Sequence, residues 1–113
     1  MKMLICGGRT YFDAERVFLV LDILGPSLVI HGAAKGADTL AANWAVIRGV
    51  PHKPFPADWQ RYGNSAGVKR NRQMLMEGRP ALVIAFPGGV GTWNMMAQAE
   101  QNGVPVLDLT GQR

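Results

Sequence analysis

The sequence predicts an α/β domain: a five-stranded parallel sheet, in the order 3-2-1-4-5, with helices on both faces. Three observations carry that reading. Short runs that are apolar throughout alternate with stretches of helical apolar spacing, giving β-α-β-α-β-α-β-α-β. Strands without a polar face belong to sheets covered on both sides. The unusual loops also follow strands, while the loops after helices are ordinary stops. Right-handed crossovers then leave few topologies, and the chosen order sets the ends of strands 1 and 4 side by side at a switch point.

The first strand is Lys2–Cys6, ending in Gly7-Gly8. Asp13 is placed to cap a helix bearing Val17, Val20, Leu21 and Leu24 on one face, which Gly25-Pro26 stops. Leu28–Ile30 is the second strand, closed by His31-Gly32. A second helix spans Gly36–Arg48 with Leu40, Trp44 and Ile47 together, and Gly49 ends it. His52–Phe55 is a weak third strand between prolines, followed by a polar loop from Pro56 to Gly67. A third helix runs from Ala66 to Glu77, before Gly78 and Pro80. Ala81–Phe86 is the clearest strand, Thr92–Gln101 the fourth helix and Val104–Leu109 the last strand.

A chain of 113 residues suits one domain spanning 1–113. Hydrophobic residues make up 48% and charged ones 18%, which supports a core and argues against disorder. Cys6 is the single cysteine, so no disulfide framework exists. No apolar run approaches a membrane span, and Met1–Cys6 is too short for a signal peptide. A cytoplasmic location is expected. The net charge of +4 suits an anionic ligand as well as weak nucleic-acid binding. Two separated histidines and one cysteine make no metal site.

The candidate site lies on the rim where the strands end. In Pro87-Gly88-Gly89-Val90-Gly91-Thr92 three glycines let backbone N–H groups close on a phosphate. Thr92 is placed to cap the following helix, whose N-terminus favours negative charge. A plain tight turn is the alternative, but three glycines in four residues exceed what a turn needs. Gly7-Gly8-Arg9 is a second candidate loop with Arg9 as a clamp. Gly32, Lys35 and Gly36 belong to a third, which is not a Walker sequence because the lysine precedes the glycine. Asp38 serves equally as a cap for the second helix or as a ligand contact. His31 and His52 have structural readings. Of Lys69, Arg70 and Arg72, one or two face the cleft, with Arg72 solvated. Asp58, Trp59 and Tyr62 form either a lid or a packed loop. A dinucleotide fingerprint fails, since position 94 is Asn.

Gly7-Gly8-Arg9, the Gly32–Asp38 stretch, Asp58-Trp59 with Tyr62-Gly63, Ala66-Gly67 with Arg70-Asn71, and Phe86 through Thr92 occur in order over nearly the whole chain. Together they resemble the YspA (cpYpsA-related) branch of the SLOG superfamily. It includes Lonely Guy (LOG) phosphoribohydrolases and the DNA-processing protein DprA. The resemblance implies a Rossmann-like three-layer fold and a bound nucleotide, ADP-ribose or NAD-type derivative. Small members of the branch are common in bacteria and phages. In the phosphoribohydrolases two glutamates follow the glycine loop, where this chain has Asn94 and Met95, and the Arg-Lys pair appears here as Arg70-Asn71.

Three functions are therefore expected in turn. The first is a nucleotide-binding sensor, carrier or sequestering module. The second is a nucleotide N-glycosidic or phosphate hydrolase using Asp38 or Asp58 with Arg70. The third is single-stranded DNA binding by analogy with DprA. By the same resemblance a homodimer is expected, through a face carrying Trp93, Met95 and Met96.

Overall fold

The computed structural model describes residues 1–111. Its strands are β1 (Lys2–Cys6), β2 (Leu28–His31), β3 (His52–Pro54), β4 (Leu82–Ala85) and β5 (Val106–Asp108). They form one sheet in the order β3-β2-β1-β4-β5. Every neighbouring pair is parallel, with Leu4 facing Ile30 on one side and Val83 on the other. The predicted fold class and strand order are those observed.

The helices between them are α1 (Ala14–Leu24), α2 (Ala37–Arg48), α3 (Trp59–Tyr62), α4 (Ala66–Gln73) and α5 (Val90–Gln101). Because successive strand residues point to opposite faces, the sheet carries two cores. On one face Met3, Ile5, Val29, Ile84 and Phe86 pack with Val17 and Leu21 of α1 and Ala41 and Trp44 of α2. On the other, Leu4, Ile30 and Val83 pack with Met74, Leu75, Met95 and Met96. Burying a Leu or Met side chain of this kind contributes about 2 kcal/mol.

Local chemistry explains the boundaries. Asp13 caps α1 as expected, accepting from the Arg16 N–H at 3.1 Å, and Gly25 ends the helix in the left-handed conformation. The polar loop after β3 holds a short helix that periodicity did not reveal. Asp58 opens α3 by accepting from the Arg61 N–H, and Gly63 at φ 55° stops it. The predicted third helix is two pieces: α4 gives way to a wider π-type turn over Met74–Gly78. That turn puts Met74 and Leu75 both in the core, and Gly78 lies where a Cβ would come 3.0 Å from Ile30 Cδ1. Ile47 is exposed, and α2 buries alanines around Trp44 instead.

Candidate functional site

A cleft of about 770 Å³ opens at the C-terminal edge of the sheet, above the ends of β1 and β4. Its floor and walls come from residues 7–9 and 87–92, with Asp38, Trp59, Arg70 and Asn71 around them. The two glycine loops are locked together. The Gly8 N–H donates to Pro87 O at 2.8 Å, and a Cβ on Gly8 would come 3.1 Å from Gly88 Cα. A Cβ on Gly88 would run into Thr92 Oγ1 and sit 2.7 Å from the Gly8 nitrogen. These two glycines are needed for the loops to meet at all. Gly89 and Gly91 differ, because a Cβ on either would find open space.

Two expectations about caps are corrected here. Thr92 does not cap α5. The cap position is Gly89, without a side-chain bond, and Thr92 is buried in the first turn against Gly88. Asp38 does not cap α2, which starts from Gly36 with no side-chain cap. Its carboxylate instead turns back to the loop, accepting from the Gly32 N–H at 3.1 Å and the Ala34 N–H at 3.2 Å. Gly36 has a structural duty: at φ 77° it passes so close to Gly8 and Arg9 that a Cβ would come 2.6 Å from the Arg9 carbonyl carbon.

Arg70 is the cleft's central cation. Its Nη1 donates to Gly32 O and its Nε to Asn71 Oδ1 at 3.1 Å, which aims the guanidinium from α4 across the rim. Gly32 leaves room for it, since a Cβ there would come 2.6 Å from the guanidinium carbon. Burial lowers the Arg70 pKa, with Asp38 opposing. Burial likewise pushes the Asp38 carboxyl up to about 6, against the pull of its backbone hydrogen bonds and Arg70. Arg9 lies over the Trp59 ring, 5.3 Å from its centroid, and both line the cleft.

Asn71 is buried and joins α4 to α5. Its Nδ2 donates to Gly91 O and to Asn94 Oδ1, each at 3.1 Å, and Asn94 Oδ1 also accepts from Gln98 Nε2. Asn94 is thus committed to the interhelical network and does not line the cleft. Lys35 lies outside the main cleft, in an adjoining cavity of about 400 Å³ with Gly32. Asp58 lines neither cavity; it caps α3. Lys69 stands over Tyr62 at 4.9 Å and Arg72 is exposed, so Arg70 alone of the basic cluster turns inward. Met95 and Met96 are fully buried in the core and offer no subunit face, whereas Trp93 is partly exposed.

Sequence reasoning missed several participants. Tyr11 lines the cleft and stacks on Phe86 with centroids 5.6 Å apart. An aromatic residue two places after a Gly-Gly-Arg loop was the available signal. Cys6 is part of the lining, and burial pushes its thiol well up, so it stays neutral. His31 and His52, read from the sequence as structural, line neither cavity; they stack, with ring nitrogens 2.9 Å apart. The Ala33 N–H donates to His31 Nδ1, so the neutral ring carries its hydrogen on Nε2 and donates it to His52. Burial holds His31 down to about 4. Among the described residues no cluster of His, Cys, Asp or Glu could hold a metal ion, and no helix is long and apolar enough to cross a membrane.

Residues 1–62 match the YspA, cpYpsA-related SLOG family. The chain belongs to this family. It is 37% identical to the Gene 61 protein of Mycobacterium phage D29, over 95% of this chain and 94% of that one. Its fold is similar to DNA processing protein A (DprA) from Streptococcus pneumoniae, with a TM-score of 0.77 at 20% identity over 95% of this chain. The chain spans 49% of that DprA chain, about half its length. It is also similar to TM1055, with a TM-score of 0.71 at 19% identity, over 93% of this chain and 71% of that one. At such identities the two structures show the fold alone, a Rossmann-like one.

Proposed function

We propose that this protein binds a nucleotide or nucleotide-derived ligand, with a phosphate seated between Gly7–Arg9 and Pro87–Thr92 and held by Arg70. One observation carries the reading: Gly89 and Gly91 leave open space that packing does not require, directly on a cleft faced by two arginines. Glycine N–H groups at a helix start with a nearby guanidinium form a phosphate site. Nucleoside phosphates, ADP-ribose and NAD derivatives all present such a group, and a base can stack at Trp59. The protein then acts as a cytoplasmic sensor, carrier or sequestering module. Isothermal calorimetry against AMP, ADP-ribose, NAD and cyclic nucleotides tests this. Binding that weakens about tenfold or more in Arg70→Ala supports it, since a lost charge-assisted hydrogen bond costs about that much. No heat with any of them at millimolar concentration refutes it.

A hydrolase is the second reading, favoured by Asp38, the one carboxylate lining the cleft among the described residues, near Arg70. Asp38 would supply the negative charge that an oxocarbenium-like transition state needs. Release of free base from nucleoside monophosphates or NAD, lost in Asp38→Asn, would establish it. The DprA likeness raises single-stranded DNA as a third ligand; a gel shift that weakens steeply with salt is its signature. A homodimer remains part of this proposal, but through exposed Val90 and Trp93 on α5 rather than the buried methionines. Sedimentation at one chain's mass would exclude it.

A further inference from the structure

The smaller cavity adjoins the cleft and differs from it in charge. Arg9, Ala34, Trp59 and Arg70 line both spaces and make their common wall. The cleft balances its two arginines against Asp38, while the smaller cavity has Arg9, Lys35 and Arg70 and, among the described residues, no acidic side chain in its lining. Lys35 lines only the smaller space. It sits on a loop that buried side chains brace. Asp38 takes the Gly32 and Ala34 N–H groups, and His31 takes that of Ala33, which is held at φ 56°. A lysine on a pre-shaped loop gives up less freedom on binding an anion than one on a loose turn.

From this arrangement we infer that the smaller cavity is a second anion subsite, so that the ligand is a nucleotide carrying two phosphoryl groups that are not neighbours. The first phosphate sits in the glycine loops. The rest of the nucleotide passes the Arg9–Trp59 wall, and the second phosphate meets Lys35. A pyrophosphate suits this arrangement less well, because its two phosphates share one oxygen and reach less far across the common wall. The inference rests on the nucleotide reading of the main cleft.

Calorimetry with AMP, ADP and adenosine 3′,5′-bisphosphate, and with the guanine forms of each, tests it. Wild-type protein is expected to bind the bisphosphate about tenfold more tightly than the monophosphate, one charge-assisted contact's worth. ADP gains much less. In Lys35→Ala the ratio of bisphosphate to monophosphate affinity falls to about one. In Lys53→Ala, which removes the same charge from a site lining neither cavity, the ratio keeps its wild-type value. Equal affinity for monophosphate and bisphosphate in wild-type protein overturns the inference and leaves the main cleft's reading standing. So does an equal gain with ADP, or a ratio that falls alike in both lysine variants. If none of the six compounds binds while ADP-ribose or NAD does, this inference fails alone; if those two and the cyclic nucleotides also give no heat, the reading of the cleft fails with it.

Discussion

The glycines of the 87–92 loop separate packing from binding, and substituting them one at a time tests that division. Gly91 lies in the first turn of α5, where a methyl group meets nothing within 4 Å. Alanine forms helix better than glycine by up to about 1 kcal/mol in a helix interior, and about half of that is expected in a first turn. Gly91→Ala should therefore be more stable by about 0.5 kcal/mol, raising Tm by about 2 °C in a chain of this size. Gly89, at φ −110° and equally open, should be near neutral. Gly88→Ala forces a Cβ to 2.7 Å from the Gly8 nitrogen, so the interlocked loops must part, at about 2–3 kcal/mol. Affinity should run differently. Both Gly89→Ala and Gly91→Ala put a methyl where the phosphate approaches and should weaken binding about tenfold, the worth of one lost charge-assisted hydrogen bond. Thermal melts paired with calorimetry on the best-binding nucleotide give both readings. If Gly91→Ala stabilises the fold and binds as well as wild type, the open space above the loop is not a phosphate seat.

Other substitutions probe the supports of the cleft. Asn71→Ala leaves the Arg70 Nε without its acceptor, removes the side-chain donor from the Gly91 carbonyl and leaves Asn94 Oδ1 with Gln98 alone, and should cost about 2–3 kcal/mol in urea denaturation. The Tyr11 hydroxyl is buried with no hydrogen-bond partner among the described residues, so Tyr11→Phe should gain about 1 kcal/mol in the same assay. Titration sets His31 against Asp38. His31 falls from 6.5 to about 4 on folding, so its stabilising contribution is present above pH 6.5 and lost as pH drops toward 4. Asp38 rises from 3.8 to about 6, so its contribution is present below pH 3.8 and lost as pH climbs through 6. Each is worth about 3 kcal/mol unscreened, and about 1–2 kcal/mol for His31 after screening at the sheet edge. Between pH 6.5 and 4, His31→Gln should gain stability on acidification and Asp38→Asn should lose it. Parallel urea midpoints for the two would contradict the opposed shifts.

The sheet was legible because its signals are local and strong. Runs such as Leu82–Ala85 are apolar throughout, and glycines or prolines bound them, so strand order and the common rim followed from parallel topology. What escaped depends on contacts that sequence spacing does not encode. Asp38 was legible as an acid near a helix start, yet its hydrogen bonds run backward to Gly32 and Ala34, a choice made by how the loop folds over it. Thr92 stands in the expected place, and the packing of Gly88 against Gly8 draws it inward. Asp58 and Trp59 are adjacent in sequence, but the short helix between Asp58 and Gly63 turns one outward as a cap and sends the other to the cleft. Arg70 was separable from Lys69 and Arg72 only in part, because helical spacing gives a face but not the depth at which it sits.

Asn94 and Met95 stand where the phosphoribohydrolases carry two glutamates, and the difference is more than one of charge. Asn94 Oδ1 accepts from both Asn71 and Gln98, so a short carboxylate at 94 could keep both donors, and Asn94→Asp should fold normally. Met95 is fully buried beside Leu4, Met74 and Ala99, where a carboxylate would have no water and no cation. Glutamate there must either ionise in an apolar core or fold protonated, and Met95→Glu should cost about 3–5 kcal/mol. Restoring the pair as Asn94→Glu with Met95→Glu should therefore unfold much of the protein before it creates a hydrolase. A melt of Met95→Glu within 2 °C of wild type would refute this, and would make a glutamate pair introduced at 94 and 95 a route to catalysis. In the native cleft Asp38 is the carboxylate in the lining among the described residues, so a carboxylate-assisted hydrolysis there would use it. That side chain already holds two backbone N–H groups and faces the arginine that would also grip the phosphate. Asp38→Asn, which keeps the oxygen those N–H groups need, is then the variant that divides a binding module from an enzyme.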